Sequence, residues 1–298
     1  MSTAVQFEVS QETPAARYAF LSAVYKAARR NPVGAAAGIL CIALIALAIV
    51  GPLVAPHSPD DTNFARLAAP NWSHPFGTDN LFRDMFSRII VGTRNSLGIA
   101  FGSIAFSVSA GVVLGVTAGY IGGTWDQVVG RLTDAIIAYP GLVFIIFFLT
   151  IFPSSFASVS IAIGIILTPG IIRVVRSATI GVRGLQYIEA AVVVGNGPSR
   201  IMWRHVMPNV AAPIIVIATI QIGIAILIEA AISFLGLGVS SPHNPSWGRM
   251  LQETRQAWSL AWWTAVIPGL AIAVAVLAFN LFGDALRDAL DPRLRGRQ

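Results

Sequence analysis

Long segments without a charged residue constrain this chain more than any other feature of its sequence. The first of them runs from Val33 to Val54, and the longest runs from Ala135 to Ile172. A helix needs about 20 apolar residues to cross the hydrocarbon core of a bilayer. Only 11% of the residues are charged, whereas about a quarter are charged in an average soluble domain. The sequence therefore predicts a polytopic membrane protein and excludes an ordinary soluble enzyme.

Six membrane-spanning helices are predicted from these segments. The longest segment exceeds one span, and the stretch Phe152–Ser155 is expected to break it into spans near 134–152 and 156–174. The fifth span carries one charge, Glu229, and the sixth begins at Trp262, the first of two adjacent tryptophans that are typical of a membrane interface. The predicted fold class is all-α. The predicted organisation is an N-terminal tail (1–32), a first span (33–54), a loop (55–94), a five-helix core (95–284) and a C-terminal tail (285–298).

The distribution of positive charge predicts the orientation in the membrane. An even number of spans places both termini on one side, and 14 of the 20 Lys and Arg residues fall on that side. The positive-inside rule assigns this side to the cytoplasm, together with the segment 173–207. The loop 55–94 is then extracytoplasmic. We expect a multi-pass protein of a bacterial cytoplasmic (inner) membrane, in contact with membrane lipid.

Several other classes of function are not expected for this chain. The net charge is +6, but the basic residues are dispersed between apolar segments, so binding of nucleic acid is not predicted. The only lysine, Lys26, is not in a Gly-Lys-Ser/Thr sequence, which excludes a built-in phosphate-binding loop. The four histidines lack metal-ligand spacing, and no nucleophile motif occurs. We therefore expect no catalytic, cofactor-binding or metal site.

Two patterns inside the spans allow more than one interpretation. Gly111, Gly115, Gly119 and Gly123 repeat every four residues, so they form a small-residue ridge that packs either within the subunit or against a partner or pathway. Glu229 is the only carboxylate well inside a span, with Gln221 two helical turns before it. Glu229 is either a buried, hydrogen-bonded structural residue or, with Gln221, part of a transport pathway.

The segment between the fourth and fifth spans is expected to form two short helices. The first covers residues 186–194 and ends at the run Gly195–Gly197, which suits left-handed backbone conformations. Pro198 then opens a second short helix, which Pro208 is expected to stop before the next span. Such a pair of helices either presents a fixed protrusion to another protein or rests on the lipid headgroups.

Motifs in this segment resemble those of a known family. The run Glu189–Ala191, followed by Gly195 and Pro208, resembles the EAA motif of ABC importer permeases. Further segments resemble the C-type subunit of the peptide/nickel-type permeases, over nearly the whole chain after residue 28. They include His74–Asp79, Arg83–Asp84, Ser233–Gly238 and Leu277–Pro292. The chain departs from the family pattern at Phe82, where a glycine is usual.

The resemblance implies a type I ABC importer permease fold and a transport subunit that is not an enzyme. It implies a second homologous permease as heterodimer partner, two ATPase subunits that use ATP and Mg²⁺, and an extracytoplasmic substrate-binding protein. The expected substrates are di- and oligopeptides, with nickel or glutathione as alternatives. A proton-coupled secondary carrier using Glu229 is the alternative from another class. The implied coupling residues are Glu189, Ala190, Ala191, Gly195, His205 and Pro208.

Overall fold

The computed structural model describes residues 31–239 and 244–290, and most of these residues lie in helices. The helices are α1 (Pro32–Val54), α2 (Met85–Ile121), α3 (Gly123–Ile137), α4 (Gly141–Ile151), α5 (Phe156–Arg183), α6 (Gln186–Val193), α7 (Pro198–Phe234), α8 (Trp247–Glu253) and α9 (Trp263–Leu290). The all-α class is thus confirmed for the described residues. The predictions for residues 1–30 and 291–298 lie outside them.

Five of the described helices, α1, α2, α5, α7 and α9, are long and apolar enough to cross a membrane. Helices α2 and α5 run parallel, as their close contacts show. A Cβ on Gly102 would lie 2.9 Å from Oγ of Ser160, and one on Gly119 would lie 2.8 Å from Cβ of Thr179. Because parallel neighbours must be joined by a segment that returns, α3 and α4 together form the remaining crossing. The described chain therefore accounts for six crossings.

This returning segment is bent, whereas a single span near 134–152 was expected. Helices α3 and α4 meet at 89°. Pro140 lies at the bend, where it lacks an amide donor and disfavours helical backbone at Tyr139. Helix α3 then crosses α5, because Asp126 pairs with Arg176 and Asp134 with Arg173.

The break between α4 and α5 lies where the sequence predicted it. Helix α4 ends at Ile151, and α5 begins at Phe156. The hydroxyl of Ser155 caps α5 by accepting a hydrogen bond from the amide of Ser158 over 3.1 Å.

Several helix boundaries differ from the sequence-based expectation. Helix α5 continues beyond residue 174 to Arg183, and α9 continues to Leu290, six residues into the predicted C-terminal tail. Helix α2 begins at Met85, so the predicted loop 55–94 is helical over its last ten residues. Of the two charges in this stretch, Arg94 is exposed, whereas the Arg88 side chain is only 1% exposed and is paired. Pro208 does not stop a helix either, because Met202–Val206 forms a π-helical turn and the amide of Met207 donates to the carbonyl of Met202. The wider turn lets α7 continue through the proline.

The first and last helices meet at one end of the bundle. Gly34 of α1 lies against Ala285 of α9, and Gly38 lies against Phe282. We call this end the terminal face and the other end the opposite face. Helices α2 and α5 end at the terminal face, where α6 lies, whereas the loop before α2 and helix α8 lie at the opposite face.

Candidate functional site

The first candidate site is helix α6 at the terminal face. Ile188 is its buried residue, only 2% exposed, and it belongs to a hydrophobic cluster shared with α2, α5 and α7. The other buried members of this cluster are Val112, Val116, Ile171, Val175, Ile201, Met202, Val206, Val210 and Ile214. These side chains come from three long helices, so the cluster connects α6 to all three.

A glycine turn ends α6, as the sequence predicted. Gly195 has φ +88°, a left-handed conformation that a side chain disfavours. Its amide donates to the carbonyl of Val192 over 2.9 Å, and the amide of Asn196 donates to that of Ala191 over 3.1 Å. This pattern satisfies the last carbonyls of the helix and reverses the chain towards Pro198.

The outward side of α6 combines one acidic residue with apolar side chains. Glu189 and Ala190 are exposed, and Ala191 is half-buried. Val193 is 86% exposed and Val194 is 81% exposed. Exposed apolar side chains gathered at one place mark a surface for another molecule.

His205 and Pro208 lie beyond this helix rather than on it. His205 is in the π-helical turn of α7, and its carbonyl accepts a hydrogen bond from the Asn209 side chain over 2.7 Å. Pro208 is exposed on the following turn. Because α7 is continuous from Pro198 to Phe234, both residues are part of a helix that crosses the bundle.

A cleft of about 490 Å³ separates α6 from the ends of α2 and α5. Arg183, Tyr120 and Glu189 provide its polar lining. The guanidinium carbon of Arg183 lies 6.0 Å from the centre of the Tyr120 ring, at the outer limit of a cation–π contact. The cleft opens beside Glu189, so it forms part of the surface that α6 presents.

Gln221 and Glu229 do not form one site. Gln221 donates from Nε2 to the carbonyl of Leu167 over 3.2 Å, which ties α7 to α5. Glu229 is 1% exposed and accepts a hydrogen bond from the Ser233 hydroxyl over 2.7 Å. The geometry favours the interpretation of Glu229 as a buried structural residue.

The small-residue ridge packs within the subunit. A Cβ on Gly111 would lie 2.5 Å from Cγ2 of Ile171, and one on Gly115 would lie 2.8 Å from Cβ of Val175. Gly123 does not belong to the ridge, because it has φ +60° and no neighbour within 4 Å. The glycines therefore let α2 and α5 approach closely.

A cluster of charged residues at the opposite face was not predicted from the sequence. Arg83 donates from Nε to Oδ2 of Asp79 over 2.8 Å and from Nη2 to Oε2 of Glu253 over 2.5 Å. Arg88 donates to the same Glu253 oxygen over 2.8 Å. We call Asp79, Arg83, Arg88 and Glu253 the ionic cluster. The family motifs His74–Asp79 and Arg83–Asp84 drew attention to two of its members, but nothing in the sequence connected them to Glu253, which lies far along the chain.

The arginines of the ionic cluster lower the pKa of Glu253. Burial alone would raise the pKa of Glu253, but the charges of Arg88 and Arg83 and a hydrogen bond from Arg249 outweigh burial. The pKa of Glu253 therefore lies below its ordinary value of 4.5. At neutral pH the carboxylate compensates the buried arginines.

Comparison with known proteins places the chain in a family. Residues 111–296 match the binding-protein-dependent transport system inner membrane component family, and residues 20–70 match the N-terminal TM domain of oligopeptide transport permease C. The chain is 40% identical over 272 residues to the dipeptide transport system permease protein DppC of Alkalihalophilus pseudofirmus, covering 91% of this chain and 89% of that protein.

Two further relatives are similarly close. The chain is 40% identical over 268 residues to the glutathione transport system permease protein GsiD of Pectobacterium atrosepticum, covering 89% of each chain. The chain is also 40% identical over 270 residues to the dipeptide transport system permease protein DppC of Haemophilus influenzae, covering 88% of this chain and 91% of that protein. The chain therefore belongs to the binding-protein-dependent transport system inner membrane component family, as a non-enzymatic, multi-pass permease component of an ABC importer.

Proposed function

We propose that this chain is one of two homologous permeases that form the membrane channel of a peptide importer in a bacterial inner membrane. Two ATPase subunits that use ATP and Mg²⁺ bind at the terminal face, and an extracytoplasmic substrate-binding protein delivers peptide at the opposite face. Both termini are then cytoplasmic. The excess of Lys and Arg on the terminal side supports this orientation.

The position of α6 is the observation that supports this function best. Its inner side is anchored by Ile188 among α2, α5 and α7, whereas Val193 and Val194 project outward. A partner that binds the outward side therefore acts on three helices at once. In our proposal Glu189, Ala190 and Ala191 lie in this contact. The Gly195 turn sets the angle of α6, and His205 and Pro208 link it to α7.

Helix α2 provides a path for the movement. It contains 37 residues, which corresponds to roughly 55 Å at 1.5 Å per residue. It joins the ionic cluster at the opposite face to the cluster around Ile188, and its glycines pack it tightly on α5. We propose that closure of the ATPase pair shifts α6 and rocks α2 and α5 as one body between inward-open and outward-open states.

A peptide is the proposed substrate. The relatives named above are dipeptide and glutathione permeases, and glutathione is itself a small peptide. A di- or oligopeptide is therefore favoured over nickel. Recognition of the individual peptide is assigned to the substrate-binding protein.

Purification of the tagged chain from native membranes tests the assembly. We expect a second permease and two ATPase subunits to co-purify. The double change Val193→Asp and Val194→Asp should abolish co-purification of the ATPase, because it places charge on the apolar contact, whereas Gln186→Asp on the same helix should not. Both proteins should still insert into the membrane.

Transport by reconstituted vesicles tests the function. Vesicles containing the full assembly and the binding protein should take up dipeptide only with ATP. Uptake by the purified chain alone, driven by a proton gradient and lost in Glu229→Gln, would refute the proposal and establish a secondary carrier.

A further inference from the structure

The buried apolar side chains between α2, α5 and α7 form two clusters. The cluster around Ile188 lies towards the terminal face, and a larger cluster lies towards the opposite face. The buried members on either side of the boundary, each pair given from the larger cluster to the smaller, are Ile104 and Val112 on α2, Leu167 and Ile171 on α5, and Ile222 and Ile214 on α7. The division therefore falls near the middle of all three helices.

Polar side chains occupy this boundary. Four of them are at most 8% exposed: Ser107, Thr168, Thr219 and Gln221. Thr168 and Thr219 donate to carbonyls of their own helices. Of the four, Gln221 is the residue that donates to another helix, from Nε2 to the carbonyl of Leu167 over 3.2 Å. Gln221 is therefore the directional link between α7 and α5 at this level.

Helix α5 provides a seat for Gln221 beside a proline. A Cβ on Gly170 would lie 2.6 Å from Nε2 of Gln221, so the amide group fits there because Gly170 has no side chain. Pro169 lies inside α5, where it removes a backbone donor and weakens the helix locally. Gln221 contacts Leu167 on one side of this proline and Gly170 on the other. The amide group of Gln221 is therefore fixed at one position along α5.

Helix α7 also packs closely on α9 at the level of Gln221. A Cβ on Gly223 would lie 2.7 Å from Oδ1 of Asn280, and one on Gly283 would lie 2.9 Å from Cγ1 of Ile220. Each helix thus places a side chain against a glycine of the other, which opposes sliding. Helices α7 and α9 therefore form a second closely packed pair beside the pair of α2 and α5.

We propose that Gln221 is a positioning residue that forms the pivot between these two helix pairs when the permease changes state. Apolar contacts are not directional, so the two clusters can shift in opposite senses as the pairs rock. The hydrogen bond to Leu167 is directional and keeps the pairs in register between the clusters. The proposal rests on the function proposed above, because the ATPase subunits drive the rocking through α6.

A double-mutant cycle in the purified full-length chain tests the contact independently of transport. Outside its own helix, an added Cβ on Gly170 meets only the Gln221 side chain within 4 Å. Gly170→Ala should therefore raise the unfolding temperature by a few degrees in a Gln221→Ala protein, because alanine favours the helix. In the wild-type chain the same change displaces the Gln221 amide group, so it should give no such gain. An equal gain in both backgrounds would overturn the proposal.

The coupling of ATP hydrolysis to uptake tests the pivot. In vesicles that contain the full assembly and the binding protein, Gln221→Ala and Gly170→Ala should each lower the dipeptide taken up per ATP hydrolysed by about fivefold. The double variant should lose no more than either single variant. A permease that is only destabilised would lose hydrolysis and uptake in proportion, which leaves this ratio unchanged.

Thr219→Val is the matched control for the coupling experiment. Thr219 is buried two residues before Gln221, but its hydroxyl donates to the carbonyl of Ile215 on its own helix over 2.8 Å. This variant should keep the wild-type ratio of uptake to hydrolysis.

Three results of the coupling experiment would overturn the pivot: a wild-type ratio in both single variants, an additive loss in the double variant, or an equal defect in Thr219→Val. Absence of ATP-dependent uptake by the wild-type assembly would instead refute the proposed function. The unfolding temperatures would then still decide whether Gln221 and Gly170 are in contact.

Discussion

Arg88 near the start of α2 donates from Nη2 to Oε2 of Glu253 at the end of α8, over 2.8 Å and 165 positions along the chain. The Arg88 side chain is 1% exposed, so this pair is shielded from solvent. A buried arginine without a partner is costly. The pair therefore attaches α8 to α2 and allows a charged residue to lie at the beginning of a membrane-spanning helix.

Loss of Glu253 should destabilise the opposite face. We expect Glu253→Gln to lower the free energy of unfolding by about 3 kcal/mol, because Asp79 alone then faces the buried positive charges of Arg83 and Arg88. Thermal unfolding in detergent measures the change. Glu189→Gln is the control, since Glu189 is exposed and in no ion pair of the described residues, and it should unfold like the wild type.

The stabilisation by Glu253 should depend on pH in a defined direction. The pKa of Glu253 is lower in the folded protein than its ordinary value of 4.5. Its contribution is therefore complete above pH 4.5 and is lost as the pH falls through the folded-state pKa. The difference in unfolding temperature between the wild type and Glu253→Gln should be constant above this pH and shrink below it. A difference that grows on acidification would contradict the ionic cluster.

The turn after α6 should tolerate a side chain at one glycine and not at another. Gly195 has φ +88°, whereas Gly197 has φ −67° and ψ 154°, which any residue adopts. Neither has a neighbour within 4 Å of an added Cβ, so only the backbone distinguishes them. Gly195→Val should cost about 1–2 kcal/mol and reduce ATP-driven uptake several-fold. Gly197→Val should transport normally, and equal effects of both changes would argue against the left-handed turn.

Two glycine-to-alanine substitutions, one on α2 and one on α5, should change the stability of the protein in opposite directions. Gly115→Ala places a Cβ 3.0 Å from the carbonyl oxygen of Ile172, so it should destabilise the protein by about 1–3 kcal/mol. Gly181→Ala on α5 meets no atom within 4 Å and should stabilise the helix by about 0.5–1 kcal/mol. Thermal unfolding of the two variants provides the measurement, and stabilisation by Gly115→Ala would refute the close packing.

Replacement of Phe82 by glycine should stabilise the protein. It has φ +64° and lies two residues before the N-cap of α2. Phe82→Gly relieves about 1–2 kcal/mol of backbone strain and costs about 0.5–1 kcal/mol of chain entropy, so a slightly higher unfolding temperature is expected. Leu81→Gly, at a similarly exposed neighbour without positive φ, should be destabilising. Equal losses in both variants would contradict this assignment of strain.

Much of the fold could be predicted from local patterns in the sequence. The apolar segments predicted the helical crossings, because a bilayer requires a minimum length of uncharged helix. Phe152–Ser155 and Gly195–Gly197 predicted breaks that the structure confirms, because proline and glycine act on the backbone of their own neighbourhood. The EAA-like run pointed to the helix that the structure places on the hydrophobic cluster around Ile188.

Other features depended on residues that are distant in the chain. The sequence by itself determined the all-α class, the number of crossings and the family, since hydropathy and short motifs are local properties. Only the tertiary structure decided that α2 begins at Met85, that α7 passes through Pro208, and which partners Arg88 and Glu229 have. The physical reason is that a buried polar group needs a hydrogen-bonding or charged partner, and the folding of the chain decides which residue that is. The partner of Arg88 is Glu253, 165 positions along the chain.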